Sequence, residues 1–169
     1  MKAYTSSGDE GFTKDFSGKV ILKDELIILA NGKIDSLQSA IDMVLFLDDG
    51  NHKDALNLVQ KKLWQAAGEI ANYPGDCLNA PITIKDLASL ENYVDSLGEP
   101  PKKFVRFTNE RSIWLNECRV RCRELETLLV KLLRDGGLRS EIYKYVNRLS
   151  SLFFMMGYTA GESKILGNF

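Results

Sequence analysis

The sequence predicts an all-α protein, a five-helix up-and-down bundle with an extended N-terminal arm. Four of the 13 Gly lie in the first 32 residues, all four Pro lie between residues 74 and 101, and the last 68 residues contain no Pro. Apolar residues recur at steps of three and four beyond the arm, without the alternation typical of strands. We expect a single domain over residues 1–169, with the arm at 1–32 and the bundle at 33–160.

The arm begins with a glycine-rich segment. Residues 5–13 are Thr-Ser-Ser-Gly-Asp-Glu-Gly-Phe-Thr. Hydroxyls interleaved with glycine allow successive backbone N–H groups to form a concave anion site, and the same composition also forms ordinary turns. Residues 20–22 and 26–29 are apolar and flank Lys23-Asp24-Glu25. This pattern predicts either a short hairpin or two extended apolar segments.

The first two helices follow the arm. The first is predicted over about residues 34–48, where Asp35 and Gln38 have the form of a capping box. The second is predicted over about residues 53–72, with the sequence Tyr-Pro-Gly at 73–75 as its stop. Each carries an apolar stripe that must pack against other helices.

The other three helices occupy the second half of the chain. The third begins at Ile84 and is closed by Gly-Glu-Pro-Pro at 98–101. The fourth covers about residues 109–134 and is ended by two glycines, and the fifth covers about residues 138–158.

Charged residues are balanced in number and uneven in position. Lys and Arg total 22 against 23 Asp and Glu, a formal net charge of -1. Residues 1–101 carry a net charge of -7 and residues 102–148 a net charge of +6, and every Arg lies between Arg106 and Arg148. The near-neutral total argues against nucleic acid as a partner. The planar guanidinium suits carboxylate and phosphate, so the Arg-rich stretch predicts anion chemistry.

The cysteines, the histidine and the hydropathy of the sequence narrow the possible classes of protein and of functional site further. Cys77, Cys118 and Cys122 lack Cys-x-x-Cys spacing, and His52 is the sole imidazole. We therefore expect buried reduced thiols, with no zinc site and no Cys/His nucleophilic pair. The apolar runs are too short to span a membrane and the first residues lack the apolar core of a signal peptide, so a cytoplasmic protein without membrane contact is expected.

Two helical segments carry candidate binding residues. Arg119, Arg123 and Glu126 lie at steps of four and three on one face of the fourth helix. From geometry alone, a solvated charged stripe with an Arg–Glu pair explains them more simply. Asn147 and Ser150 lie one turn apart on the fifth helix and either line a pocket or face water.

Taken in order, these segments resemble the ATP:cob(I)alamin adenosyltransferase family of the trimeric five-helix type. Residues 4–13 follow its Thr-Lys-Thr-Gly-Asp-x-Gly-x-Thr loop, and Lys23 stands at a family lysine. Residues 30–39 resemble its Ala-Tyr-Gly-x-x-Asp-Glu-Leu-Asn-Ser, residues 90–95 its Leu-Glu-x-x-Ile-Asp, and residues 146–150 its Leu-Asn-Arg-Leu-Ser-Asp. The resemblance extends nearly end to end.

The resemblance implies transfer of the 5′-deoxyadenosyl group of ATP to the cobalt of cob(I)alamin, which gives adenosylcobalamin and triphosphate. It implies sites between the subunits of a homotrimer, Mg²⁺ on the phosphates, and as partners a reductase and an adenosylcobalamin-dependent enzyme. The alternatives are a weakened or inactive member that binds cobalamin or nucleotide as a carrier or sensor, and a helical interaction module without a ligand.

The resemblance also implies roles for individual residues. The residues that would surround the triphosphate are Thr5, Ser7, Gly8, Thr13 and Lys23. Ser6 and Lys14, which are their neighbours in the loop, are further candidates for binding. Arg123 and Glu126 match the first Arg and the Glu of the family's Arg-Arg-Ala-Glu-Arg, and Asn147 matches an Asn that contacts the nucleotide.

Three further residues have implied roles away from the triphosphate. Asp35 and Arg119 would belong to a polar framework near the subunit interface. Phe104, with Phe107 as the alternative, resembles the family Phe that helps to displace the lower axial ligand of cobalamin.

The sequence departs from the family motifs at several cations. Ser6 replaces the loop Lys, Glu124 replaces the second Arg of the Arg-rich motif, and Thr127 replaces its last Arg. Because a triphosphate needs cations, we expect weakened ATP affinity unless another basic residue substitutes. The candidates for that substitution are Lys14, Arg106 and Arg121.

Overall fold

The computed structural model describes residues 6–15, 17–47, 50–72, 81–161 and 163–166. The described helices are α1 (Leu26–Phe46), α2 (Lys53–Asn72), α3 (Ile84–Ser96), α4 (Glu110–Arg134) and α5 (Ser140–Thr159). The described strands are β1 (Phe12–Lys14), β2 (Val20–Leu22), β3 (Val105–Phe107) and β4 (Ser163–Ile165). Three predictions, those on Thr5, on Cys77 and on the helix stop at 73–75, lie outside the described residues.

The five helices form the predicted bundle around one hydrophobic core. α4 packs against both α1 and α5, while α2 packs on α1 and α3 on α5. Large side chains that are fully buried include Ile34, Ile41, Leu63, Leu125, Leu129 and Phe153. The all-α prediction is therefore confirmed, and the apolar stripes explain it because each faces this core. No helix in the described ranges is long and apolar enough to span a membrane.

The first helix begins eight residues before its predicted start. Residues 26–29, expected as a strand or an extended segment, form its first turn, and Ala30 and Ile34 are buried after them at helical spacing. The capping-box prediction is wrong, because Asp35 lies in the middle of α1. The arm therefore ends near residue 25, not at 32. Packing on the core decides this, since isoleucine has no strong helix propensity of its own.

The arm folds as a hairpin with a partner that differs from the prediction. β2 pairs antiparallel with β1, Thr13 opposite Ile21, and not with residues 26–29. The turn is closed by the carboxylate of Asp15, which accepts from the backbone N–H groups of Ser17 and Lys19, each at 2.9 Å. The pKa of Asp15 is lowered, mainly because its carboxylate accepts a hydrogen bond from the Ser17 hydroxyl.

A second ribbon, which the sequence analysis did not predict, joins the loop before α4 to the end of the chain. β3 pairs antiparallel with β4, and the Leu166 N–H donates to the Phe104 carbonyl at 3.0 Å. Phe107, the last residue of β3, is buried, and a Cβ at Gly157 would come within 3.3 Å of its ring. The ribbon thereby fixes the backbone of Phe104.

α3 starts at the predicted residue, and a capping box fixes this start. The Thr83 hydroxyl accepts from the Asp86 N–H, and the Asp86 carboxylate accepts from the Thr83 N–H at 2.8 Å, a full capping box. α4 begins one residue later than predicted with Asn109 as its cap, and α5 two residues later.

The described cysteines are buried thiols, as predicted. Cys118 and Cys122 are free and fully buried, and the Cys122 thiol donates to the Val146 carbonyl at 3.0 Å across the α4–α5 contact. Burial raises the pKa of Cys118 to about 12 and raises that of Cys122 as well.

We expect both thiols to resist alkylation in the native protein. A raised pKa reduces the thiolate fraction at a given pH, to roughly 1 in 10,000 for Cys118 at pH 8. Mass spectrometry after iodoacetamide treatment at pH 8 should find Cys118 and Cys122 unmodified in buffer and fully modified in denaturant. Rapid modification of either thiol in buffer would contradict the buried placement.

Candidate active site

The arm hairpin surrounds an open cleft of about 660 Å³. The residues that line it are Ser7, Gly8, Asp9, Phe12, Thr13, Lys14, Val20 and Lys23. The ammonium of Lys23 donates to the Gly8 carbonyl at 2.7 Å. The structure thus brings together five predicted residues, Ser7, Gly8, Thr13, Lys14 and Lys23. Ser6 is exposed and is not among the lining residues.

Two successive turns bend the glycine-rich loop over Lys23. The Asp9 N–H donates to the Ser6 carbonyl at 3.3 Å, and the Gly11 N–H to the Gly8 carbonyl at 3.2 Å. Gly11 has a φ of 83°, which favours glycine. A Cβ at Gly8 would lie 2.6 Å from the Lys23 ammonium, so a larger residue at this position would displace the lysine from its place against the backbone. The loop places polar groups and a cation around one concave space, as a phosphate site requires.

A second polar cluster lies between α4 and α5. Glu126 accepts from the Asn147 amide at 2.7 Å and from the Tyr143 hydroxyl at 3.3 Å. The side-chain amide oxygen of Asn147, Oδ1, accepts from Arg148 at 2.9 Å, and Arg148 in turn pairs with Glu91 at 2.8 Å. The orientation of Asn147 is therefore fixed from both sides.

Tyr143 is a member of this cluster that the sequence analysis missed. It lies one helical turn before Asn147, and this spacing is a signal that could have revealed it. Burial, together with the carboxylate of Glu126, raises the pKa of Tyr143. The hydroxyl therefore stays protonated near neutral pH and donates to Glu126.

Arg119 and Arg123 concentrate positive charge on the same face of α4. Arg119 is half-buried and donates from Nε to the Asn116 side chain at 2.9 Å, while Arg123 is exposed. Burial, with a smaller effect of Arg123, lowers the pKa of Arg119. The Arg–Glu pair expected of a solvated stripe does not form, because the described partners of Glu126 are Asn147 and Tyr143. The guanidinium of Arg123 is thus available to an anion.

Phe104 and Arg119 line a cleft of about 450 Å³ beside the second ribbon. Phe104 is 66% exposed at its edge, whereas Phe107 is 8% exposed and packs against Phe154 with ring centroids 5.9 Å apart. Both predicted phenylalanines line this cleft, and Phe104 is much the more exposed of the two. Arg119 and Phe154 also line an adjoining cleft of about 420 Å³ that contains Ser150.

The predicted substitutes for the missing cations fall in different places. Lys14 lines the arm cleft. Arg121 instead pairs with Glu117 at 2.8 Å and donates to Ser36 on α1, so its charge is already used. Arg106 is exposed on β3. Of the three candidates, only Lys14 lies in the arm cleft.

The arm cleft and the α4–α5 cluster are separate partial sites within one chain. The residues lining the arm cleft all come from positions 7–23, and none comes from α4 or α5. Asp35 is exposed on α1 and forms no ion pair with Arg119 in the described ranges. A complete site that uses both halves therefore needs another copy of the chain or a rearrangement of the arm.

Comparison with known proteins yields a consistent set of relatives. The family described as cobalamin adenosyltransferase matches residues 3–160. A corrinoid adenosyltransferase of Citrobacter freundii is 32% identical over 162 residues, which cover 92% of each chain. The corrinoid adenosyltransferase MMAB of Homo sapiens is 29% identical over 167 residues, which cover 92% of this chain and 67% of that one.

The solved structures match in fold. A variant of the PduO-type ATP:corrinoid adenosyltransferase from Lactobacillus reuteri, complexed with cobalamin and ATP, superimposes with a TM-score of 0.88. The sequence identity is 21%, and the superposition covers 99% of this chain and 100% of that one.

Proposed function

Because the chain belongs to the cobalamin adenosyltransferase family, we propose that it transfers the 5′-deoxyadenosyl group of ATP to cob(I)alamin, giving adenosylcobalamin and triphosphate. The observation that carries the proposal is the pair of partial sites. One is a glycine-rich cleft with Lys23 held at 2.7 Å from Gly8. The other is an α4–α5 cluster with an available Arg123 and a fixed Asn147.

The reaction requires little acid–base catalysis by the protein. Cobalt attacks C5′ of ATP, the Co–C bond forms, and the C5′–O bond breaks with its electron pair leaving on triphosphate. The protein must align C5′ with cobalt, exclude water and stabilise the departing charge. A site of hydroxyls, backbone N–H groups, lysine and arginine is suited to this work, and it needs no paired catalytic carboxylates.

In this proposal the two partial sites hold different parts of ATP. Ser7, Thr13, Lys14 and Lys23 surround the triphosphate, and Arg123 adds a guanidinium suited to phosphate oxygens. Asn147, held by Glu126 and Arg148, contacts the nucleoside.

Mg²⁺ accompanies the triphosphate in the same proposal. In the described ranges no group of three or more His, Cys, Asp or Glu is placed to hold a metal ion. Magnesium usually keeps several waters and binds through substrate phosphates with one or two carboxylates. The carboxylate in the arm cleft is that of Asp9, which fits this role.

The active unit we propose is a homotrimer with sites between subunits. Support comes from the separation of the partial sites, since an arm from one subunit would complete the α4–α5 cluster of the next. Asp35 and Arg119 would lie near that interface. The buried free Cys118 and Cys122 fit a reducing compartment such as the cytoplasm, where a reductase would supply cob(I)alamin and a dependent enzyme would take the product.

The corrin ring is proposed to lie at the two adjoining clefts that Arg119 lines, one of which is also lined by Phe104. We expect Phe104→Ala to slow adenosylation from reductase-coupled cob(II)alamin by about 10- to 100-fold, because a ligand-displacing side chain is lost at the reacting centre. With chemically reduced cob(I)alamin, which has no lower axial ligand to displace, the loss should be at least about tenfold smaller.

The control for Phe104→Ala is Ile165→Ala, which removes another exposed apolar side chain from the same ribbon. Both rates should stay at wild-type values in this control. Equal losses with the two cobalt states in Phe104→Ala would contradict the proposed role.

The proposed function is tested by anaerobic incubation with cob(I)alamin and MgATP. We expect the spectrum of adenosylcobalamin to appear with one triphosphate per turnover. Absence of product above the protein-free blank would refute the proposal. The carrier or sensor alternative, which the Ser6, Glu124 and Thr127 departures favour, predicts that calorimetry detects binding of cobalamin or ATP in the absence of turnover.

A further inference from the structure

Two polar contacts join α1 to α4 next to the Arg-rich face. The Lys33 ammonium lies 2.7 Å from a carboxylate oxygen of Glu124. Arg121, one turn from Glu124, donates to the hydroxyl of Ser36, and its Nη1 lies 3.3 Å from the Ser36 carbonyl. Lys33 and Ser36 are themselves three residues apart on α1, so the two contacts are adjacent. We call them the α1–α4 seam.

The seam gives Glu124 a partner that the motif comparison did not anticipate. If Glu124 is treated only as the replacement of a motif arginine, it is expected to bring a negative charge into a phosphate site and to weaken ATP binding. In the structure its carboxylate lies against Lys33, and contacts with Lys33 followed by the charge of Arg121 lower the pKa of Glu124. Arg123 is not among the groups that perturb it. Glu124 therefore belongs to the contact between the helices.

The position of the seam along α4 gives it an effect on the site. Arg123 directly precedes Glu124, and Glu126 follows two residues later, so a rotation of α4 about its axis moves all three side chains together. Glu126 is held on the α5 side by Asn147 and Tyr143. The seam holds the opposite side of α4 through α1.

We propose that Lys33 and Glu124 are positioning residues that orient α4 so that Arg123 faces the nucleotide, and that they need opposite charges without regard to which position carries which. This inference rests on the proposed role of Arg123 in ATP binding. It adds that the charge at position 124 acts by setting the orientation of α4. The acidic residue then does not by itself weaken the site.

Charge reversal distinguishes positioning from simple attraction of the phosphates. Lys33→Glu places two acids together and Glu124→Arg places two cations together, so the pair is repulsive in either variant. We expect either change to raise the Kd of ATP by about two- to fivefold, a size typical of exposed pairs. In the double variant Lys33→Glu with Glu124→Arg, attraction returns and the Kd should return to the wild-type value.

Simple attraction predicts a different pattern. Glu124→Arg adds positive charge and would tighten ATP binding, whereas Lys33→Glu would weaken it. The matched control is Lys131→Glu, an exposed position two turns further along α4, which changes net charge as Lys33→Glu does. It should leave the Kd unchanged.

The experiment is calorimetry of ATP with each purified variant, with thermal unfolding to show that each is folded. Weaker binding in both single variants and recovery in the double variant support the proposal. Tighter binding by Glu124→Arg, unchanged binding in both singles, or no recovery in the double each overturns it. Since binding is measured without turnover, this result is separate from the test of adenosyl transfer, which the wild-type protein alone decides.

Discussion

Arg123→Ala should raise the KM for ATP about 10- to 100-fold, the range expected when a charge-assisted hydrogen bond to phosphate is lost. Arg123 is exposed on α4, and Glu126, its neighbour one turn on, is bound to Asn147. The mutation therefore removes the proposed ligand of the triphosphate without leaving the Glu126 carboxylate unpaired. The KM for cobalamin should change by less than about twofold, because the clefts proposed for the corrin ring are lined by other residues.

Two further variants make the result specific. Arg123→Lys keeps the charge and loses the planar fork, so its KM for ATP should lie between those of the wild type and Arg123→Ala. Arg134→Ala removes an exposed arginine from the end of the same helix and should leave both KM values unchanged. If Arg123→Ala raised both KM values equally, or neither, Arg123 would not be a phosphate ligand.

Glu69→Ala should lower the free energy of unfolding by about 3 kcal/mol, the lower end of the range for breaking a buried ion pair. Glu69 is 5% exposed. Its carboxylate accepts from Arg139 at 2.7 and 3.1 Å and from the Ile82 N–H at 2.9 Å. Arg139 also donates to the Ile82 carbonyl at 2.8 Å. One carboxylate therefore joins the end of α2 to the residues that begin α3 and α5.

Thermal unfolding measures this loss. For a chain of this length we expect Tm to fall by about 6–12 °C. The matched comparison is Glu117→Ala, which breaks the exposed pair with Arg121 and should cost less than about 1 kcal/mol. If the two variants lost the same free energy of unfolding, the buried ion pair of Glu69 would not stabilise the protein more than the exposed pair of Glu117 does.

The bundle could be predicted because its signals are local. Proline and glycine lie near most of the limits of α2 through α5, Asn109 caps the start of α4, and the apolar period sets the faces that meet in the core. The start of α1 could not be placed, because residues 26–29 are an apolar run that suits strand and helix equally. The second ribbon was missed because each strand has three residues and the partners are far apart in sequence.

The site was predictable to the extent that it follows motifs within one segment. Spacing put Arg119, Arg123 and Glu126 on one face. Most of the described loop residues that were predicted to bind phosphate line one cleft with Lys23, and Ser6 is the exception. The partner of Glu124 was not predictable, since Lys33 lies 91 residues earlier and only the packing of α1 on α4 brings the two charges together. The departure at 124 therefore seemed more damaging to ATP binding than the contact indicates.

We propose that one subunit's arm and another subunit's α4–α5 cluster together form the adenosyl-transfer site. Lys23→Ala disables the arm half and Arg123→Ala the helical half, so the two variants can be co-produced with different tags and purified through both. In a mixed trimer the arm of an Arg123→Ala chain meets the intact helices of a Lys23→Ala chain at one of three sites, so about one third of wild-type activity should return. Activity no higher than that of the separate variants would contradict the claim.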